Sequence, residues 1–230
     1  MHAKIIAGRI VNNFLMLAAL GSLLYIAAGT VCIRGFWIYA ITALVYQIIS
    51  LSFLAARYPQ YLDLANVRRR RAENAKPWDK ALVTVLTAAT LLMYLLTGLD
   101  IGCWHVSELP LVLAIPGVLM YVLGSAVNQW AMVHNRFFER NVRIQTDREH
   151  SVVTADPYRL IRHPGYLGSI IFFLSFPLLC GSAIGWLGSA FCVVGMVGRT
   201  YFEDRTLQAE LSGYVEYCRS VRYRLIPHIW

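Results

Sequence analysis

Charge is what this sequence has little of: 15% of its 230 residues are Asp, Glu, Lys or Arg, against 57% hydrophobic. A soluble fold of this size needs far more polar surface to cover its core, so the shortage points to a membrane protein. Acids are scarcer still, 13 against 21 basic residues. The resulting +8 would suit a nucleic-acid surface, but the basic residues cluster between apolar segments, as in loops facing an anionic membrane. No nucleic-acid partner is therefore expected. Paired cysteine spacing is missing too: Cys32, Cys103, Cys180, Cys192 and Cys218 form no C-x-x-C. That argues against a zinc site or a disulfide framework and leaves each thiol as a small apolar group, so no metal is expected. There is no strand–Gly-x-Gly–helix unit, which excludes a Rossmann-type nucleotide site, and no repeat, low-complexity linker or soluble domain.

What remains is a series of apolar runs. A hydrocarbon layer about 30 Å thick needs about 20 helical residues. Residues 10–33, 35–56, 81–99 and 109–133 each supply one span, with Pro116 expected to bend the first half of the fourth. The interval 163–198 would make about 54 Å of helix, too long for one crossing. It is expected to turn back around Cys180–Gly185, giving two short spans and six in all. The first run follows Lys4 and Arg9 but is too long for a signal-peptide core, so a retained span is expected. Six spans would put twenty of the 21 basic residues on one face, leaving Arg34 alone on the other. By the positive-inside rule this predicts a multi-pass protein with both termini cytoplasmic. The basic run Asn66–Arg71 then reads as a topology determinant or a clamp on anionic headgroups. We divide the chain into spans one to four, residues 1–133, and a functional region, residues 134–230.

The organising stretch is Tyr158-Arg-Leu-Ile-Arg-His-Pro-Gly-Tyr-Leu-Gly168, where a charged segment meets the long apolar interval. Pro164 and Gly165 mark a turn, and Tyr158 and Tyr166 suit a membrane–water boundary. Alone, the stretch reads equally well as a basic, aromatic anchor. Its company adds more: Arg143-Ile-Gln-Thr-Asp-Arg-Glu-His150-Ser-Val-Val-Thr upstream, Arg199-Thr-Tyr-Phe-Glu203-Asp204 downstream, then Gly213-Tyr-Val-Glu-Tyr217 and Arg224-Leu-Ile-Pro. In this order the motifs resemble the isoprenylcysteine carboxyl methyltransferase and phospholipid methyltransferase superfamily over about the last 95 residues.

The resemblance implies an all-α transmembrane bundle with a cytoplasmic pocket for S-adenosylmethionine, built from loops and C-terminal helices. It also implies a lipophilic or lipid-anchored methyl acceptor reaching the site laterally. Carried across by the motifs, the cofactor contacts would be Gln145, His150, Ser151, Val152, Val153, Tyr158, His163, Tyr166 and Glu203. Arg199 and Glu203 would be catalytic, with Arg199 binding an anionic acceptor. Glu203 follows Arg199 by four residues, so the two share a helix face and an ion pair between them is the plain alternative. Asp156 stands where the family usually has Gly, and Asp204 where it has a second Glu. The C-terminal motifs are also similar to those of nicotinamide-dependent sterol reductases, and a non-catalytic scaffold is a third reading. The identity of the acceptor and the oligomeric state stay open.

Overall fold

A computed structural model describes residues 2–59, 75–106 and 109–230 of the chain. The basic run Asn66–Arg71 lies outside the described residues. The molecule is a polytopic transmembrane helical bundle, and the described residues contain no strand. Its elements are α1 (His2–Ala28), α2 (Arg34–Arg57), α3 (Pro77–Leu99), α4 (Ala114–His134), α5 (Pro164–Cys180), α6 (Gly185–Glu210) and α7 (Tyr214–Ser220). A π-helical turn, Asp100–Trp104, prolongs α3, and a 3-10 turn, Leu111–Leu113, leads into α4.

Four stretches are long and apolar enough to cross a membrane: Ile6–Ala28, Arg34–Arg57, Pro77–Trp104 and Leu111–His134. The expected fifth and sixth spans fall on α5, a shorter apolar helix of 17 residues, and on the first half of α6, neither of which is among those four. At 1.5 Å per residue α5 reaches about 26 Å, just short of the hydrocarbon layer. The reversal falls at residues 181–184, inside the expected interval, with Gly181 closing α5 at φ 79. The first span ends earlier than expected, at Ala28. Pro116 does not bend α4, because the helix begins at Ala114 and Pro116 lies in its first turn, where no intrahelical N–H bond is lost.

The interior proline is instead Pro177, in α5. Having no N–H, it leaves the Phe173 carbonyl four residues earlier without its helical partner. The Ser189 hydroxyl on α6 donates to that carbonyl at 2.8 Å, which satisfies it where lipid could not. α4 and α5 approach through Gly124 and Gly168: a Cβ on either would lie 2.6 Å from the other's carbonyl oxygen.

The helices alternate in direction. Ile6 and Ile10 of α1 meet Leu51 and Leu54 of α2 and Met132 of α4 at one end. Asp79 at the start of α3 meets Arg199 of α6 there as well. At the opposite end Leu24, Phe36, Tyr39, Met93, Tyr94, Phe176 and Leu179 form the main core. The segment between α4 and α5 and the elements after Leu207 fold over the first end, sealed by Leu211, Tyr214, Tyr217 and Val221 against Ile144 and Val152.

Candidate functional site

Pro164 occupies the first position of α5, where its missing N–H is harmless, and this fixes where the preceding loop stops. The N–H groups of Arg162 and His163 donate to the carbonyls of Tyr223 and Arg224, both at 2.9 Å, so the C-terminal segment braces the loop. Behind the loop lies Asp204, fully buried. Its carboxylate accepts from Arg162 (2.8 Å), Arg224 (2.8 Å), the Tyr214 hydroxyl (3.2 Å) and Gln208 (2.7 Å), with His163 Nε2 at 3.3 Å. Burial alone would raise the Asp204 pKa, but the His163 contact, then Arg224 and Arg162, outweigh it and hold the group ionised well below the usual carboxylate range. Tyr214 beside it is pushed far up, by burial and then by the Asp204 charge.

Above this hub is a cavity with about 840 Å³ of space, counting its mouth. All nine residues expected to contact a cofactor line it: Gln145, His150, Ser151, Val152, Val153, Tyr158, His163, Tyr166 and Glu203. They come from the α4–α5 connection, the start of α5 and the outer half of α6. Their roles differ. Gln145 is buried with both ends of its amide engaged, Nε2 donating to the Phe137 carbonyl at 2.6 Å and Oε1 accepting from Arg148 at 2.9 Å, so it braces the loop. His150 packs on Phe137 at 4.4 Å and accepts from the Gln145 N–H at 3.3 Å. Burial, then the neighbouring Arg143 charge, lowers its pKa to about 4, so the ring is neutral near pH 7.

The backbone groups of Ser151, Val152 and Val153 make no hydrogen bond to another described residue, and all three residues line the cavity. Tyr158 accepts from Asn135 at 3.2 Å and donates to the Ala131 carbonyl at 3.3 Å. The rings of Tyr166 and His163 stack, 7° from parallel and 5.7 Å apart, and the Tyr166 hydroxyl donates to Glu203.

Arg199 does not form the ion pair with Glu203 that was the plain alternative to its expected role. Its guanidinium instead meets Asp79, at 2.8 Å between Nε and Oδ1, and donates to the Arg140 carbonyl. Asp79, fully buried, also accepts from the Val142 N–H at 2.8 Å, so one carboxylate ties α3, α6 and the loop together. The helical spacing from Arg199 to Glu203 was real, but a buried acid on another helix satisfied the guanidinium better. Arg199 lies outside the lining of the first cavity and faces a second, with about 1440 Å³ counted in the same way, between α2, α3, α4, α5 and α6. Phe138, Glu139 and Tyr166 line both. Sequence reading missed Asp79 and assigned no role to Arg162, Tyr214 or Tyr217. The Pro-Trp-Asp start of α3 announced a helix N-terminus, but not that its acid turns inward.

Among the described residues no group of His, Cys, Asp or Glu is arranged to hold a metal. Residues 117–209 match the family model described as the isoprenylcysteine carboxyl methyltransferase (ICMT) family. A probable protein-S-isoprenylcysteine O-methyltransferase of Oryza sativa subsp. indica is 38% identical over 56 residues, 24% of this chain and 29% of that protein. Protein-S-isoprenylcysteine O-methyltransferase A of Arabidopsis thaliana is 25% identical over 108 residues, 46% of this chain and 55% of that protein. A Delta(14)-sterol reductase of Mus musculus is 26% identical over 139 residues, 55% of this chain and 33% of that protein. Each match thus spans less than two thirds of the relative's length.

Proposed function

Taking residues 117–209 as an isoprenylcysteine carboxyl methyltransferase family segment, we propose that this integral membrane protein is a methyltransferase using S-adenosylmethionine on a lipophilic or lipid-anchored acceptor. The observation that carries the reading is the convergence of the nine motif residues on one cavity. The lining fits the donor by its chemistry. Free backbone groups at 151–153 suit an adenine edge, Glu203 suits an ammonium or a ribose diol, and the stacked Tyr166 ring suits a sulfonium. When bound, S-adenosylmethionine supplies an electrophilic methyl group.

The protein's own contribution is position and dryness. Tyr166 and Phe138 stand between the two cavities, so donor and acceptor approach each other from opposite sides of one wall. Asp79 fixes Arg199, whose guanidinium lies 5.3 Å from the Tyr166 ring centre, on the acceptor side. A carboxylate acceptor is already ionised and needs no base, so catalysis there is proximity, alignment and water exclusion. An amine acceptor would in addition have to give up a proton to a base. We further infer that the cavity end is cytoplasmic, as are both termini, since a six-span topology would put twenty of the 21 basic residues on that side.

The sterol reductase likeness gives a second reading, a nicotinamide-dependent oxidoreductase. The lining argues against it. Among the described residues both arginines of the lining are already paired, Arg143 with Glu139 and Asp147, Arg162 with Asp204, which leaves neither of these two free for the phosphates of NADPH. Calorimetric titration of detergent-purified protein tests the choice. S-adenosylhomocysteine is expected to bind and NADPH not to; the reverse result would replace the first reading with the second.

A further inference from the structure

The second cavity is far more polar than a passage for hydrocarbon needs to be. Gln129 of α4 uses its Oε1 to accept from Tyr46 at 3.0 Å and Ser50 at 2.7 Å, both on α2. Its Nε2 has no partner among the described residues. Gln47 of α2 lines the same cavity and makes no hydrogen bond to another described residue. Counting 1.5 Å per residue from the helix ends at the cofactor side, Gln129 lies about 8 Å deep and Gln47 about 15 Å. The second depth is near the middle of a hydrocarbon layer about 30 Å thick. An amide that lines a cavity at that depth without a partner among the described residues is open to a ligand's hydrogen bond, and polar side chains inside spans mark the path of a ligand.

Deeper still the cavity changes character. Gln47, Thr90, Tyr121, Phe172 and Phe173 also line an inner, largely apolar cavity that reaches Tyr39, Tyr94 and Phe176. Its floor is closed by the Tyr94 hydroxyl donating to that of Tyr39 at 2.8 Å.

We propose that Gln129 and Gln47 form a headgroup subsite for the methyl acceptor. The acceptor is an amphiphile that carries, besides its methyl-accepting atom, a carbonyl or hydroxyl group bound by these amides within the membrane layer. Its apolar tail occupies the inner cavity. This rests on the methyltransferase reading for the word acceptor, but the binding itself does not. Neither glutamine touches the donor cavity.

The test is equilibrium binding to detergent-purified full-length protein with tritiated dodecanamide as probe, alongside titration with S-adenosylhomocysteine. Unlabelled dodecanamide is expected to displace the probe at least about tenfold better than tridecane, the effect of one or two hydrogen bonds. Gln129→Leu and the volume-preserving Gln129→Met are expected to abolish that advantage, and Gln47→Leu to reduce it, with S-adenosylhomocysteine affinity unchanged. Equal displacement by amide and hydrocarbon, or an advantage that survives in both Gln129 variants, would overturn the subsite. Amide binding that is intact and Gln129-dependent while S-adenosylhomocysteine fails to bind supports the subsite and removes the methyltransferase reading instead.

Discussion

The two ends of the bundle solve opposite problems with the same helices, α1 to α6. At the far end aromatic rings close the interior: Tyr39 packs edge-on against Phe176 at 5.1 Å, and Tyr94 lies 4.3 Å from the same ring. At the cavity end a smaller apolar cluster of Leu51 and Leu54 with Ile6, Ile10 and Met132 is joined by buried charge. Asp79 and Asp204, both fully buried, hold the loops and α6 in place with three arginines. Packing of apolar rings tolerates lipid on its outer side; a polar cavity needs walls that stay put when it is empty. Ion pairs with good geometry supply that, at the expense of being intolerant to the loss of one partner.

The largest expected effect tests this contrast at the charged end. Asp204→Ala leaves the buried Arg162 and the half-buried Arg224 without their counter-charge and is expected to cost about 3–5 kcal/mol, read as a large fall in melting temperature. At the other end Phe176→Ala removes a ring from a packed cluster and is expected to cost about 3 kcal/mol, while S-adenosylhomocysteine affinity is retained. If that affinity falls as far as it does in a site variant, the two ends are not separable. Glu203→Ala and His163→Ala invert the pattern for a ligand readout. Each is expected to weaken S-adenosylhomocysteine binding about tenfold or more, about 1.4 kcal/mol, with the protein still inserted.

A pH profile sharpens the comparison further. His150 protonates near pH 6.5 in the unfolded chain but at about 4 in the folded one. Its contribution to stability is therefore complete above about 6.5 and is lost as pH falls from there towards 4. His150→Gln is expected to flatten that part of the melting-temperature profile, and Phe176→Ala to leave its shape unchanged. The smallest effect belongs to the exposed Lys76–Glu210 pair: Glu210→Ala is expected to change stability by under about 1 kcal/mol.

Much of this was legible beforehand, for physical reasons. Uncharged runs located the spans, and Cys180–Gly185 located the reversal, because neither depends on partners distant in sequence. The nine cavity residues were found through ordered motifs rather than through periodicity. What escaped were pairings across the bundle. Asp79 is 120 residues from Arg199, and nothing local distinguishes it from an ordinary acid in a first helical turn. Asp204 was noticed only as a shortened Glu, yet its carboxylate meets five side chains. Pro177 was overlooked while Pro116 was expected to bend its helix, since a proline's effect depends on how far into the helix it falls.

A single phenol, Tyr166, forms part of the wall of both cavities. Under the proposed function, a water-borne ligand and an oil-borne one would thus be brought together without either leaving its own phase. For inhibitor chemistry this means two independent doors, and any one compound designed to occupy both rooms must be shaped to bend around that ring.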